Sequence, residues 1–549
     1  MSFEKSVVYQ IYPKSFRDTT GNGRGDLRGV IEKLDYINEL GVDYIWLTPI
    51  YPSPMNDNGY DVADYTSINP DFGSMEDFEL LVAEAERRGI SIMLDMVFNH
   101  TSTEHEWFKR ALAGEKKYQD YYIFKDPVDG KAPTNWVSKF GGSAWEYVED
   151  MGKYYLHLFD VTQADLNWEN PEVREEIYAA ANFWLEKGVK GFRLDVINLI
   201  SKPDIYEDDT IGDGRRFYTD GPRIHEYLKE LNERTFGRYE EVVTVGEMSS
   251  TSIENCIRYS NPYEKELSMT FSFHHLKVDY ENGDKWSLKD FDFKELKKLL
   301  NRWQTEMDRG GGWNALFWCN HDQPRVVSRF GDDVNYRSES AKMLATSVHM
   351  MKGTPYIYQG EELSMTNAKY GSIDNYRDVE SLNYYEILKG EGRPQDEILK
   401  ILGEKSRDNS RTPMQWDDTV NGGFTSGEPW LATTENYREI NSSRALEDRD
   451  SVFYHYKKLI SLRREYDVIS HGTFEPFMEE DEGIFAFKRR LEDEEVVVIN
   501  NFYPVKREVE IERIGEYEVL TSNYKDIHLE EEQLHLREYE SIVLYKKNS

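Results

Sequence analysis

The chain is 549 residues long, 39% hydrophobic and 14% aromatic, with a formal net charge of -35. That composition excludes a disordered chain, and the charge excludes a nucleic-acid binder and repels anionic substrates at long range. The length exceeds one simple core, so two or three domains are expected.

Val7 to Tyr12, VVYQIY, reads as a short apolar strand, followed by the turn-rich loop RDTTGNGRGDLRG. Ile31 to Leu40 reads as an amphipathic helix and Val42 to Leu47 as a second strand. Met75 to Arg88 is a helix with Ser74 as its N-cap and Gly89 at its end, and Ile90 to Val97 is a third strand. The rhythm stalls from His100 to Asn167, a stretch rich in Trp, Tyr, Gly and Pro that reads as an irregular insertion. A helix over Glu172 to Glu186 restores it, and a strand over Val189 to Val196 follows. Further helices are read over Arg223 to Thr235, Phe291 to Met307 and Lys342 to Met351. Strands are read at Val242 to Val245, Ala315 to Trp318 and Pro355 to Tyr358. Repeating βα units imply a parallel sheet or barrel, and the count approaches that of a (β/α)8 TIM barrel. After a helix at Phe453 to Arg464, Thr473 to Tyr545 alternates apolar and polar residues in short runs, the pattern of a small antiparallel β-sandwich.

Cys256 and Cys319 sit in apolar surroundings, which suits buried free thiols in a reducing compartment. The N-terminus has no basic-then-apolar leader, and no stretch is long and apolar enough for a membrane helix. A cytoplasmic monomer that contacts neither membrane nor nucleic acid is expected.

The strand in GVKGFRLDVINLIS holds two charges two residues apart, Arg193 and Asp195. Period-two alternation places both on one face. Such a pair on an apolar strand costs several kcal/mol unless it is used. An ordinary edge-strand ion pair is the weaker reading, because the flanks are so apolar. Three other strand ends carry polar groups: Asp95 with Asn99 and His100, then Glu247, then His321 with Asp322. In a TIM barrel all four ends open on one mouth. Three carboxylates there suit glycoside hydrolysis, whose transition state resembles an oxocarbenium ion. Asp195 suits an ionised nucleophile, with Arg193 expected to depress its pKa. Glu247, in apolar surroundings near other carboxylates, suits a general acid with a raised pKa. Asp322 suits a clamp on sugar hydroxyls, and His100 and His321 suit neutral donors. A metal site is the competing reading, but no His-x-x-x-His or similar spacing occurs.

DMVFNH, GFRLD, the Glu of TVGE, and NHD resemble the four signature regions of the α-amylase superfamily of glycoside hydrolases. The resemblance implies a barrel over residues 1–99 and 168–466, an inserted domain over 100–167 and a C-terminal β domain over 467–549. It also implies a retaining mechanism, with Asp195 as nucleophile, Glu247 as acid/base and Asp322 as transition-state stabiliser. Retention places the first two carboxyls about 5–5.5 Å apart. His100, Arg193 and His321 would then contact the sugar.

GYDVADY and SRDNSRTPMQW resemble the oligo-1,6-glucosidase and exo-α-glucosidase branch, in which Asp61 and Arg411 would pair and grip the terminal glucose. DVTQADLNWENPEVR and FSFHHLKVDYENGDKW resemble the members of that branch that split trehalose 6-phosphate. The small phosphorylated disaccharide would need cationic donors, for which Lys277 and Lys285 are the candidates. Oligo-1,6-glucosidases and sucrose or trehalose isomerases are the alternative subfamilies. The loop from Asp18 to Asp26 resembles the branch's metal loop, with Asp18, Thr20, Asn22, the Arg24 carbonyl and Asp26 at alternate positions. Thr20 and Asn22 replace Asn and Asp there, and a turn held by its own side chains is the other reading. Any Ca²⁺ or Mg²⁺ bound there would be structural, because paired carboxylates need no cofactor.

Overall fold

A computed structural model describes residues 3–530 and 532–547. Eight parallel strands form one sheet: β1 Val8–Ile11, β2 Tyr44–Leu47, β3 Ser91–Met96, β4 Gly191–Leu194, β5 Val243–Glu247, β6 Met269–Phe271, β7 Ala315–Leu316 and β8 Thr354–Tyr358. Their order is β6-β5-β4-β3-β2-β1-β8-β7. A parallel bridge between Thr270 and Asn314 joins the two outer strands and turns the sheet into a barrel. Inward-pointing rings fill its centre: Trp46 of β2, Phe271 of β6 and Tyr356 of β8 meet with centroids 4.6 to 6.1 Å apart. A filled barrel gives the residues at its mouth a rigid floor.

The (β/α)8 barrel is as expected, and its differences from the sequence reading are local. The helix expected over Ile31 to Leu40 is broken at Lys33 into Leu27–Glu32 and Leu34–Leu40. The Ser74 cap is a full capping box, with the Asp77 side chain bonding back to the cap. The sixth strand, only three residues long, was not legible in SMTFSF. Residues 100–167 are more ordered than an irregular insertion. His100–Ser102 pairs with Gln163–Asp165, and Phe124–Lys125, Lys153–Leu156 and Trp145–Val148 form a second antiparallel sheet. A helical pair, Val379–Gly390 and Gln395–Lys405, follows β8 and is not among the expected elements. It is packed on its own apolar cluster around Trp286, Tyr385 and Leu402.

The C-terminal region is the expected two-layer β structure. Thr473–Phe477, Ile484–Leu491, Glu494–Asn501, Ser541–Lys547 and Glu518–Ser522 form a five-stranded sheet in that order. It faces a three-stranded sheet across a core of Ile484, Val497, Ile499, Val509, Leu534 and Leu536. Phe485, Phe487, Val496 and Val498 alternate with these and join the barrel's main core, so the large sheet is buried on both faces. Both cysteines are buried and unbridged. Among the described residues, no helix is long and apolar enough to cross a membrane.

Candidate active site

Asp95 and Arg193 lie side by side in register on β3 and β4, so their side chains leave the sheet on the same face. The Arg193 guanidinium is almost wholly enclosed and is shared by three carboxylates. Its Nη1 donates to Asp95 Oδ1 at 2.7 Å and to Asp195 Oδ1 at 2.5 Å, and its Nη2 donates to Glu247 Oε2. Trp46 Nε1 and Tyr60 Oη donate to Asp95 Oδ2 at 3.1 and 2.8 Å. Asp95 therefore holds Arg193 from behind, and Arg193 holds Asp195 and Glu247 in front.

Local backbone geometry aims the two front carboxylates. Asp195 is the first residue past β4, and Val196 after it has φ +35° and ψ 39°. A β-branched residue in the left-handed region is strained by about 1–3 kcal/mol. Packing of Val196 among Trp136, Leu199 and Tyr218 of the adjoining segments offsets that strain. The turn swings the chain off the strand and leaves Asp195 at the mouth. Gly246 precedes Glu247, and a Cβ there would come within 2.5 Å of Leu267 and Met248. Both atoms are tips of flexible side chains, so a larger residue at 246 would have to push them aside.

The carboxyl groups differ in proton affinity. Burial is the largest influence on Asp195, Arg193 opposes it, and the result is a pKa pushed up to about 6. The expected depression by Arg193 is thus corrected: the guanidinium is shared three ways and does not outweigh desolvation. Burial, with the charges of Asp195 and Asp322, pushes Glu247 up to about 8, and Arg193 only moderates the rise. At neutral pH one carboxyl is ionised and its neighbour holds a proton. Burial also acts on Asp322, but His321, Arg407 and Arg411 outweigh it and hold this carboxyl well below the usual range.

His321 stacks on Tyr60, with centroids 5.1 Å apart, and its Nδ1 lies 2.7 Å from Gln10 Nε2. His100 contacts the Tyr60 carbonyl at 3.1 Å and Gln163 Nε2 at 3.2 Å. Burial lowers both imidazoles, to about 3 for His321 and about 4 for His100, so both are neutral.

Asp61 and Arg411 are not brought together. Asp61 accepts hydrogen bonds from Ser53 Oγ and from the backbone N–H groups of Asn56 and Asp57, and so braces its own loop. Arg411 donates to Asp322 Oδ1 at 2.7 Å and to the His321 carbonyl at 2.8 Å. The pair across this wall is Asp57 with Arg407, at 3.0 Å. Each partner lies four positions before the expected one. Asp57 points inward while Asp61 turns back on the loop, and a short helix, Asp408–Arg411, separates the two arginines. Arg407 also bonds Asp378 at 2.5 Å and reaches Asp322 at 3.3 Å. Asp378 caps the first helix of the pair after β8, a segment with no local signal that ties it to the barrel mouth.

Lys277 ends a short 3-10 helix, His274–Lys277, beyond β6, and is exposed. Lys285 is ion-paired with Glu380 at 2.7 Å and lies over the Trp286 ring. In the loop of Asp18 to Asp26, Asp18 accepts from the backbone of Thr20, Gly21 and Gly23 and from Thr425 Oγ1. Asn22 Oδ1 accepts from the Arg24 N–H, and Asp26 caps the following helix and accepts from Thr19. The acceptor oxygens of all three side chains are thus engaged by internal donors, and the residues fit a self-bonded turn better than a cation cage.

A barrel with three carboxyls of unequal proton affinity at the C-terminal mouth defines a glycoside hydrolase site. Residues 10–472 match the model of the α-amylase catalytic domain, and residues 484–543 match that of the α-amylase SusG C-terminal domain. The chain belongs to the α-amylase family of glycoside hydrolases, in the branch that holds oligo-1,6-glucosidases and trehalose-6-phosphate hydrolases. It is 63% identical to the trehalose-6-phosphate hydrolase of Bacillus subtilis strain 168, over 91% of this chain and 90% of that one. It is 49% identical to an oligo-1,6-glucosidase of Parageobacillus thermoglucosidasius, over 98% of both. The crystal structure of Bacillus licheniformis trehalose-6-phosphate hydrolase superposes with a TM-score of 0.95 at 60% identity, over 99% of both chains.

Proposed function

We propose that the protein hydrolyses the α,α-1,1 linkage of trehalose 6-phosphate with retention, releasing glucose and glucose 6-phosphate. The observation that supports this most directly is the guanidinium of Arg193 shared by the carboxyl groups of Asp195 and Glu247. Asp195 attacks the anomeric carbon of the unphosphorylated glucose. Glu247 gives its proton to the bridging oxygen, so glucose 6-phosphate leaves as the C1–O bond breaks. A glucosyl ester forms on Asp195. Water then attacks that carbon while Glu247, now ionised, takes the water's proton, and glucose departs with its original anomeric configuration. Asp322, fixed by Arg411 and Arg407, stays ionised and binds sugar hydroxyls as charge develops on the ring. Neutral His100 and His321 line the pocket without adding charge.

Trehalulose synthase shares the fold with a TM-score of 0.95 at 39% identity, so the fold alone does not set the choice of substrate. At the rim, Lys277 supports the phosphorylated substrate. Lys277→Ala is expected to raise KM for trehalose 6-phosphate about tenfold while KM for a neutral aryl α-glucoside moves little. Steady-state kinetics on both substrates checks this, and equal losses would remove the phosphate from the account.

The chemistry needs no metal, and the loop of Asp18 to Asp26 is held by its own hydrogen bonds. Dialysis against a chelator is expected to leave kcat unchanged; its loss, restored by Ca²⁺ or Mg²⁺, would contradict this. A cytoplasmic location, supported by two buried, unbridged cysteines and a phosphorylated sugar as substrate, completes the proposal, with a monomer as the simplest assembly.

A further inference from the structure

The backbone ladder between β4 and β5 stops one residue short of the chemistry. Its last register pair is Leu194 with Gly246, so Asp195 and Glu247 both lie beyond it. The sheet ties each of them to its other neighbour instead. The Asp195 N–H donates to the Met96 carbonyl of β3 at 3.0 Å, and Glu247 is in register with Phe271 of β6. A side chain makes the tie that the ladder leaves out. Asn198 lies in the 3-10 turn Ile197–Leu199 that follows Asp195, and it is wholly buried. Its Oδ1 accepts from the Ser249 N–H at 2.9 Å, and its Nδ2 donates to the Ser249 carbonyl at 3.0 Å. One side-chain amide thus exchanges two hydrogen bonds with one residue, as a paired strand neighbour does. Ser249 is two residues past Glu247.

Asn198 Nδ2 also donates to Asp220 Oδ1 at 3.0 Å, and the Asp220 N–H donates back to the Asn198 carbonyl at 3.0 Å. With two acceptors and one donor around it, the amide has one permitted orientation. The Asp220 carboxylate further accepts from Thr251 Oγ1 and Asn255 Nδ2, each at 2.8 Å, and from Tyr259 Oη at 2.6 Å. Ser250, between the pinned residues Ser249 and Thr251, has φ +57°. A serine stays in the left-handed region only where its surroundings hold it there. The turn that carries Glu247 into the mouth is therefore sprung, and Asn198 and Asp220 hold it from the nucleophile's side.

We propose that Asn198, backed by Asp220, is a positioning residue that sets the place of Glu247 relative to Asp195. The inference rests on the acid/base assignment above and deepens it. Asn198 has no proton to transfer and acts through the peptide groups of Ser249. Misplacing a catalytic group by about 1 Å can cost on the order of a hundredfold in rate. Glu247 should suffer more than Asp195 when the tie is cut. Asp195 keeps its bond to β3 and a following turn packed by Val196 and Leu199, whereas the turn after Glu247 holds the strained Ser250.

The test uses full-length Asn198→Ala, with Tyr259→Phe as control and Glu247→Gln as reference. For each, kcat and KM are measured on 2,4-dinitrophenyl α-glucoside, whose leaving group needs no proton, and on phenyl α-glucoside, whose leaving group needs one. Asn198→Ala is expected to lose at least tenfold more kcat/KM on the phenyl glucoside than on the dinitrophenyl glucoside, with the loss in kcat and not in KM. Tyr259→Phe removes a bond to the same carboxylate and leaves Ser249 tied, so it should lower Tm yet keep the wild-type ratio of the two substrates. Asn198→Ser keeps the space polar but is too short to bridge Ser249. It should show the same selective loss, and it carries the test if the alanine variant does not fold. Equal losses on the two glucosides, no loss, or the same selectivity in Tyr259→Phe would overturn the positioning role. If Glu247→Gln is itself unselective, the acid assignment falls and Asn198 with it. A selective Glu247→Gln beside an unselective Asn198→Ala removes the positioning role alone.

Discussion

Asp195→Asn is expected to lower kcat by about 10⁴-fold or more on every α-glucoside tested, because no other group can form the covalent intermediate. The substitution keeps size and hydrogen-bonding capacity while removing the nucleophilic charge. Its partner Arg193 keeps two carboxylates, so the fold should survive. Asp195→Gly makes the test chemical. Added azide should enter the vacated space and attack an activated aryl glucoside directly, giving the β-glucosyl azide. Full activity of Asp195→Asn, or an α-azide product, would place the nucleophile elsewhere.

Glu247→Gln should separate substrates by their leaving groups. Loss of a general acid costs about 10²–10⁴-fold where the leaving group needs a proton, as a sugar hydroxyl does. A p-nitrophenolate leaves without help, so its departure should suffer far less. Azide should here give the α-glucosyl azide, because Asp195 still forms the ester. The pH profile follows from the same pair. In the wild type kcat/KM should rise as pH passes about 6, where Asp195 ionises, and fall past about 8, where Glu247 loses its proton. The two limbs belong to the interacting pair. Glu247→Gln should abolish the alkaline limb and leave the acid limb in place.

Linkage gives the same residue a stability signature. The folded-state pKa of Glu247 lies above its unfolded value, so the folded state binds the extra proton between them. Stability attached to Glu247 is therefore complete below its unfolded pKa and lost as pH rises toward about 8. At pH 9 Glu247→Gln should melt higher than the wild type, by roughly 1–3 °C.

The barrel and its mouth were legible because their signals are local. Apolar strands end in charged residues, and the oddity of Arg193 and Asp195 on an apolar strand is visible in four consecutive letters. What stayed hidden depends on direction and on distant chain. Asp57 and Asp61 both flank NGY, and nothing in that string says which carboxylate turns inward. Arg407 and Arg411 raise the same question, and only the helical pair carrying Asp378 answers it. Asn198 is three letters past Asp195, but its partner Ser249 lies 51 positions away, so the tie between them has no sequence signal. Lys285 looked as suitable as Lys277 until Glu380, 95 positions away, proved to be its partner. The proton affinity of Asp195 is hidden for a related reason: one arginine beside one aspartate reads as a pair, whereas three carboxylates share it.

A phosphorylated substrate split by this carboxylate pair is what the protein's activity comes down to. The most direct test is kcat/KM of the purified wild-type protein on trehalose 6-phosphate, trehalose and isomaltose, with the first-formed anomer of glucose read by NMR. Trehalose 6-phosphate should be preferred by at least a hundredfold, and α-glucose should appear first. Preferential release of glucose from isomaltose, or β-glucose as the first product, would contradict it.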